Sequence, residues 1–130
     1  MRPRQQWQAP ATAMAGTSDC ASGYFCVWKD TNFKTASAGG NLVRFQYYIP
    51  DYNLWDYKNT NTSAGDSITS FYNHSSGGND VYIYKGTSGR SNRYGVGPGS
   101  ARSNLATSFG PIGWNDAINS AYYEYYDPNI

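Results

Sequence analysis

The chain has 130 residues, enough for one domain with a real core and too few for two comfortable ones. A formal charge of +1, with its ten Lys and Arg scattered rather than clustered, excludes strong electrostatic steering toward nucleic acid or an anionic membrane. Charged residues make up only 15% and aromatics 17%, with 13 Tyr and 14 Gly, so solubility rests on Ser, Thr, Asn and Gly, which suits an all-β surface better than a helical one.

Residues 1–18 stand apart. Met1-Arg2-Pro3-Arg4 is basic, and Ala11-Thr12-Ala13-Met14-Ala15-Gly16 has the small residues that end a secretory leader, but the apolar middle of a leader is missing. A flexible arm rich in Gln, Pro and Ala fits the same residues, and the domain is taken as 19–130. No run approaches the roughly 18 apolar residues of a membrane-spanning helix.

Cys20 and Cys26 bracket Ala21-Ser22-Gly23-Tyr24-Phe25, a spacing that fits a short disulfide across a turn. In the chain-entropy model so small a loop contributes roughly 2 kcal/mol. A metal site would need more ligands than these two and the single histidine, His74, so the pair points to an oxidising compartment. Val27 and Trp28 continue a short strand into the polar turn Lys29-Asp30-Thr31-Asn32, and Phe33 lies where its ring can stack back on Trp28. Leu42 to Ile49 alternates with a period near two and predicts one strand, ended by Pro50. Asp51 to Ser63 reads as a long polar loop with apolar anchors at Leu54, Trp55 and Tyr57.

A repeat then emerges. Gly65-Asp66-Ser67-Ile68-Thr69-Ser70 is echoed by Asn115-Asp116-Ala117-Ile118-Asn119-Ser120, and each leads into an aromatic-rich run, Ile68 to Tyr72 and Ile118 to Tyr126. The pattern predicts a polar turn feeding a strand: Asp fixes the turn, while Ile and the aromatics supply β-propensity and a buried face. Between the copies, Ser75-Ser76-Gly77-Gly78-Asn79-Asp80 is a linker and Val81-Tyr82-Ile83-Tyr84 a plain alternating strand. Residues 90–104 hold only a weak strand or turn at 94–99, and a short strand is expected at Leu105 to Phe109. With no convincing amphipathic helix, the class is all-β: two antiparallel halves, about 19–75 and 80–126, packed as paired Greek keys in a sandwich.

In this order and spacing, Cys20 to Phe33, Gly65 to Ser70, Tyr82-Ile83-Tyr84 and Asn115 to Ser120 resemble the βγ-crystallin-type domain. The Cys-bracketed start is most similar to the bacterial peptidase inhibitor I36 family, of the Streptomyces metalloproteinase inhibitor type. The resemblance implies two wedge-like Greek keys and calcium held by paired loops of the form Asn/Asp, Asn/Asp, two free positions, Ser/Thr, Ser. The first loop matches at Asp66, Thr69 and Ser70, with Gly65 in place of an acid or amide; the second matches at Asn115, Asp116 and Ser120, with Asn119 in place of Ser or Thr. Of the two hairpins, the first keeps both aromatics, Trp28 and Phe33, while the second keeps Tyr84 and has Gly89 in place of its partner.

Calcium takes six to eight hard oxygen ligands, which a carboxylate, an amide, a hydroxyl and turn carbonyls could supply in part. The alternative is that Asp66 and Asp116 cap their turns and Ser70 and Ser120 tie neighbouring hairpins. An enzyme is not expected: His74 reads as a solvated loop residue, Glu124 is the only Glu, and no nucleophile elbow, zinc-binding helix or phosphate loop is present. Binding remains, with the surface expected at Tyr47, Tyr48, Tyr52, Tyr122, Tyr123, Tyr125 and Tyr126, because strand neighbours point to opposite faces. The function implied by resemblance is that of a secreted inhibitor of an extracellular peptidase, with 51–64 and 86–104 as candidate inhibitory loops. Two alternatives are a structural or decoration module contacting neighbouring subunits and a module binding glycans at a cell surface.

Overall fold

A computed structural model describes residues 19–34, 40–106 and 113–129. The strands are β1 (Tyr24–Trp28), β2 (Leu42–Phe45), β3 (Tyr48–Ile49), β4 (Ser70–His74), β5 (Val81–Tyr84), β6 (Arg93–Val96), β7 (Ala101–Arg102) and β8 (Ser120–Tyr123). They form two four-stranded antiparallel sheets, ordered β2-β1-β4-β7 and β3-β8-β5-β6. Strands β1, β2 and β4 of the first half thus correspond to β5, β6 and β8 of the second. The third strand of each half, β3 or β7, completes the sheet of the other half.

That exchange corrects one expectation. Residues 42–49 are two strands rather than one: Leu42 to Phe45 pairs with β1, the chain breaks at Gln46-Tyr47, and Tyr48-Ile49 pairs with β8 in the opposite sheet. The alternation runs through the break because Phe45 and Ile49 are both buried in the one core between the sheets. Likewise, 90–104 contains β6, paired residue for residue with β5 from Val81↔Val96 to Tyr84↔Arg93, and β7 against β4. Leu105 and Ala106 form a turn, and 107–109 of the strand expected there lie outside the described residues.

Period two explains the packing. From β1, Phe25 and Val27 enter the core, where they join Phe45, Phe71, Ile83, Ala121 and Tyr123. Tyr24, Cys26 and Trp28 point to the other face and build a second cluster with Cys20, Phe33 and Leu42. Cys20 and Cys26 are joined there as a disulfide. The rings of Trp28 and Phe33 meet edge to face with centroids 5.3 Å apart, as the hairpin pattern suggested. His74 is not a solvated loop residue; it ends β4, stacks on Tyr72, and its Nδ1 donates to the Cys20 carbonyl at 2.7 Å. Glu124 is equally structural, since its Oε1 accepts the Asp80 amide at 2.9 Å.

At the second hairpin the missing aromatic is replaced by the C-terminal segment. Gly89 is buried at φ +72°, and a Cβ there would lie 2.8 Å from Pro128 Cγ. Asn129 Nδ2 donates to the Gly89 carbonyl and to Tyr84 Oη, and Tyr84 Oη donates to the buried carboxylate of Asp127. Gly89 therefore makes room for Pro128 and Asn129.

Candidate functional site

The two repeated turns cross each other. Asp66 and Asp116 both adopt left-handed backbone, φ 56° and 57°, a region open to Asp because its short side chain bonds locally. Asn119 Nδ2 of the second turn donates to Asp66 Oδ1 of the first at 2.6 Å and to the Lys85 carbonyl at 2.9 Å. In the other direction, the Asp116 amide donates to the Ile68 carbonyl beside Thr69 at 3.0 Å. Asn115 Nδ2 donates to Asp116 Oδ2 at 3.3 Å, while Asn115 Oδ1 is buried without a hydrogen-bond partner among the described residues. Ser70 and Ser120 do not face this crossing: Ser70 Oγ donates to the Asp30 carbonyl and Ser120 Oγ to the Gly86 carbonyl, each tying down its own hairpin. Among the described residues no three His, Cys, Asp or Glu side chains gather where they could share an ion.

Beside the crossing lies the loop from Asp51 to Ser63. Its anchors are Tyr52 and Tyr57, both fully buried, whereas Leu54 is 80% and Trp55 50% exposed, the reverse of the expected role for those two. Burial, followed by the nearby Tyr57 and Tyr123, raises the Tyr52 phenol well above its usual range, and burial also raises Tyr57. Both remain neutral phenols at physiological pH. The backbone between them is tied at several points. Asp51 Oδ1 caps the Asn53 amide at 2.9 Å, the Tyr52 amide donates to the Asn119 carbonyl at 2.8 Å, and Trp55 bonds Tyr52 through its amide and Ala64 through its carbonyl. Asp56 then bridges Ser63, closing a small hairpin around Asn59 at φ 63°.

The expected tyrosine surface divides. Tyr47, Tyr48, Tyr125 and Tyr126 are exposed, while Tyr52, Tyr122 and Tyr123 are buried and belong to the packing rather than to the surface. Tyr123 points into the core between the sheets, and Tyr122, on the opposite face of β8, is covered by the rings of Tyr48 and Tyr84. Burial lifts the Tyr123 phenol to about 12. Tyr126 packs between Tyr47 and Tyr48 at centroid distances of 5.4 and 5.9 Å, and Tyr48 stacks on Tyr122 at 5.6 Å. A groove of about 260 Å³ beside them carries no charged side chain; Gln46, Ser76, Asn79 and Tyr47 are among its lining residues.

The sequence reading missed Asn53. Its amide fills the space beside Gly65 and donates to Asp51 Oδ1 at 3.0 Å and Asn119 Oδ1 at 3.3 Å. Only the Asp51-x-Asn53 spacing, typical of an Asx turn, hinted at local order there.

Several solved structures share the fold, three of them described as βγ-crystallins. One, described under the evolution of the eye lens βγ-crystallin domain fold, is 21% identical, with a TM-score of 0.57 over 79% of this chain and 86% of that one. A βγ-crystallin from Ciona intestinalis is 15% identical, with a TM-score of 0.55 over 78% of this chain and 99% of that one. A βγ-crystallin from an archaeon is 16% identical, with a TM-score of 0.53 over 79% and 99% of the respective chains. Comparison with curated proteins finds no match. The family model of peptidase inhibitor family I36 matches residues 13–96, through the disulfide loop, the Asp51–Ser63 loop and the first Asp turn. The chain has the βγ-crystallin fold and belongs to peptidase inhibitor family I36.

Proposed function

We propose that this protein is a secreted inhibitor of an extracellular metallopeptidase and that its inhibitory element is the loop carrying Leu54 and Trp55. One observation supports the choice of loop: two large apolar side chains stand in solvent between two fully buried tyrosines, on a backbone already hydrogen-bonded from Asp51 to Ala64. An apolar pair on a fixed loop suits the apolar subsites of an endopeptidase, because little conformational entropy is lost when it docks. The same bonds oppose productive cleavage. Trp55 uses both its amide and its carbonyl within the protein, so pulling the chain there out of the fold for cleavage would break both bonds. Secretion accords with the Cys20–Cys26 disulfide.

The test is titration of a panel of bacterial zinc endopeptidases with the wild type and with Leu54→Ala/Trp55→Ala. Stoichiometric inhibition is expected for at least one enzyme. Truncating two apolar anchors at about 1.5–3 kcal/mol each should weaken it 100-fold or more, with melting temperature unchanged because both side chains are exposed. Inhibition that survives the double substitution would place the contact elsewhere, and no inhibition of any enzyme at tenfold excess would remove the reading.

A further inference from the structure

The first Asp turn departs from the βγ-crystallin loop pattern at one position, Gly65, and the second departs at Asn119. The structure brings the two departures together. A Cβ on Gly65 would overlap Asn53 Oδ1, at 1.8 Å, so the acid or amide that the pattern places at residue 65 cannot share that space with Asn53. Asn53 in turn donates to Asn119, and Asn119 donates to Asp66.

The orientation of Asn119 is fixed by chemistry. Its two amide hydrogens face two acceptors, Asp66 Oδ1 at 2.6 Å and the Lys85 carbonyl at 2.9 Å, and its Oδ1 faces a donor, Asn53 Nδ2, at 3.3 Å. Reversing the amide would set oxygen against two oxygens and NH₂ against NH₂. A hard cation beside Asp66 needs oxygen ligands, and here the carboxylate and the carbonyl converge on a hydrogen-bond donor instead. At the second turn the donor set differs, since Asn115 Oδ1 is a buried acceptor with no partner among the described residues, next to Asp116.

We infer that the amides of Asn53 and Asn119 stand in this chain where the fold family implies the calcium of the first loop. The turn and the adjoining Asp51–Ser63 loop are held without a cation, and the chain takes at most one calcium ion, at Asn115-Asp116. Gly65, Asn53 and Asn119 form one compensated set: Gly65 vacates the space, Asn53 fills it, and Asn119 supplies to Asp66 the partial positive charge that an ion would otherwise bring. The inference concerns the stability of the turn and is independent of which enzyme, if any, the loop inhibits.

The experiment uses the full chain, stripped with chelator, and calcium chloride as the probe. Calorimetric titration should give no more than one ion per chain, and the Asn119 side-chain amide resonances should stay in place at saturating calcium. Asn119→Ser, which restores the residue type of the loop pattern, should melt roughly 5 °C lower in chelator, because Asp66 and the Lys85 carbonyl lose their donor. Calcium should recover more of that loss than it adds to the wild type. Two ions per chain, a calcium-dependent shift of the Asn119 amide, or an Asn119→Ser variant as stable as the wild type in chelator would each overturn the inference. The first two are read on the wild type and stand even if the variant does not fold.

Discussion

Replacing Gly89 by Ala tests whether the second hairpin depends on the C-terminal segment. Gly89 sits at φ +72°, and its added Cβ would meet Pro128 Cγ at 2.8 Å and Asn129 Nδ2 at 3.1 Å. A proline ring packed in place cannot swing aside as a long side chain would. Gly78 provides the control: its φ is +77°, yet nothing lies within 4 Å of the added Cβ. Both substitutions incur about 1–2 kcal/mol for left-handed backbone, partly offset by about 0.4–1 kcal/mol from a less flexible unfolded chain. Gly89→Ala adds about 1–3 kcal/mol of overpacking. A domain of this size unfolds with an entropy that makes 1 kcal/mol worth about 4 °C. Gly78→Ala should therefore melt about 4 °C below the wild type and Gly89→Ala about 8–16 °C below it. Calorimetric melts of the two variants decide the matter: melting points within about 2 °C of each other would mean that Pro128 and Asn129 are not packed against the hairpin in solution.

Removing the disulfide by Cys20→Ala/Cys26→Ala should cost about 2 kcal/mol, since the bridged residues are only 6 apart. The thermal midpoint should fall by about 8 °C, with the fold retained through the core between the sheets; an unchanged midpoint would show that the bridge does not constrain the unfolded chain. Stability should also fall in alkali. Tyr52, Tyr57 and Tyr123 have phenols raised in the folded state, chiefly by burial, whereas the unfolded chain ionises them near about 10. A raised folded-state value means that the stabilisation is complete below about pH 10 and is lost above it, with the Tyr123 contribution declining up to about 12. Urea unfolding at about pH 8, 10 and 11.5 should show little change over the first interval and a drop over the second; equal stability at all three would contradict the burial of these rings.

The strands of the core were legible because burial on one face of a sheet imposes period two. Phe25, Val27, Val81 and Ile83 all alternate in sequence and all point inward. The disulfide and the Trp28–Phe33 hairpin were legible for a similar reason, since both are made by residues within a few positions of each other. The exchange of β3 and β7 was not. Leu42 to Ile49 keeps its alternation across the break at Gln46-Tyr47, so nothing local marks the point where the chain leaves one sheet for the other. Within 51–64 the anchor at Tyr57 was legible, its hydroxyl being satisfied by Ser67 Oγ at 2.8 Å, whereas hydrophobicity alone also ranks Leu54 and Trp55 as anchors and does not single out Tyr52, which is buried although its hydroxyl finds no partner among the described residues.

Departures from the repeated turn were visible in the sequence, but their meaning was not. A missing ligand is a local fact of sequence, but what replaces it is tertiary: Asn53 and Gly65 are separated by a hairpin, and Asn119 comes from the other half of the chain. Because Asp66 is held by Asn119, and because each half supplies the third strand of the other half's sheet, the two halves share both their sheets and their turns. The Asp51–Ser63 loop is fastened to that shared seam, through the Tyr52 amide to the Asn119 carbonyl and through Asn53 to the Asn119 side chain. Any motion that separates the halves must therefore also release the segment that presents Leu54 and Trp55, which couples the order of this loop to the integrity of the whole double Greek key.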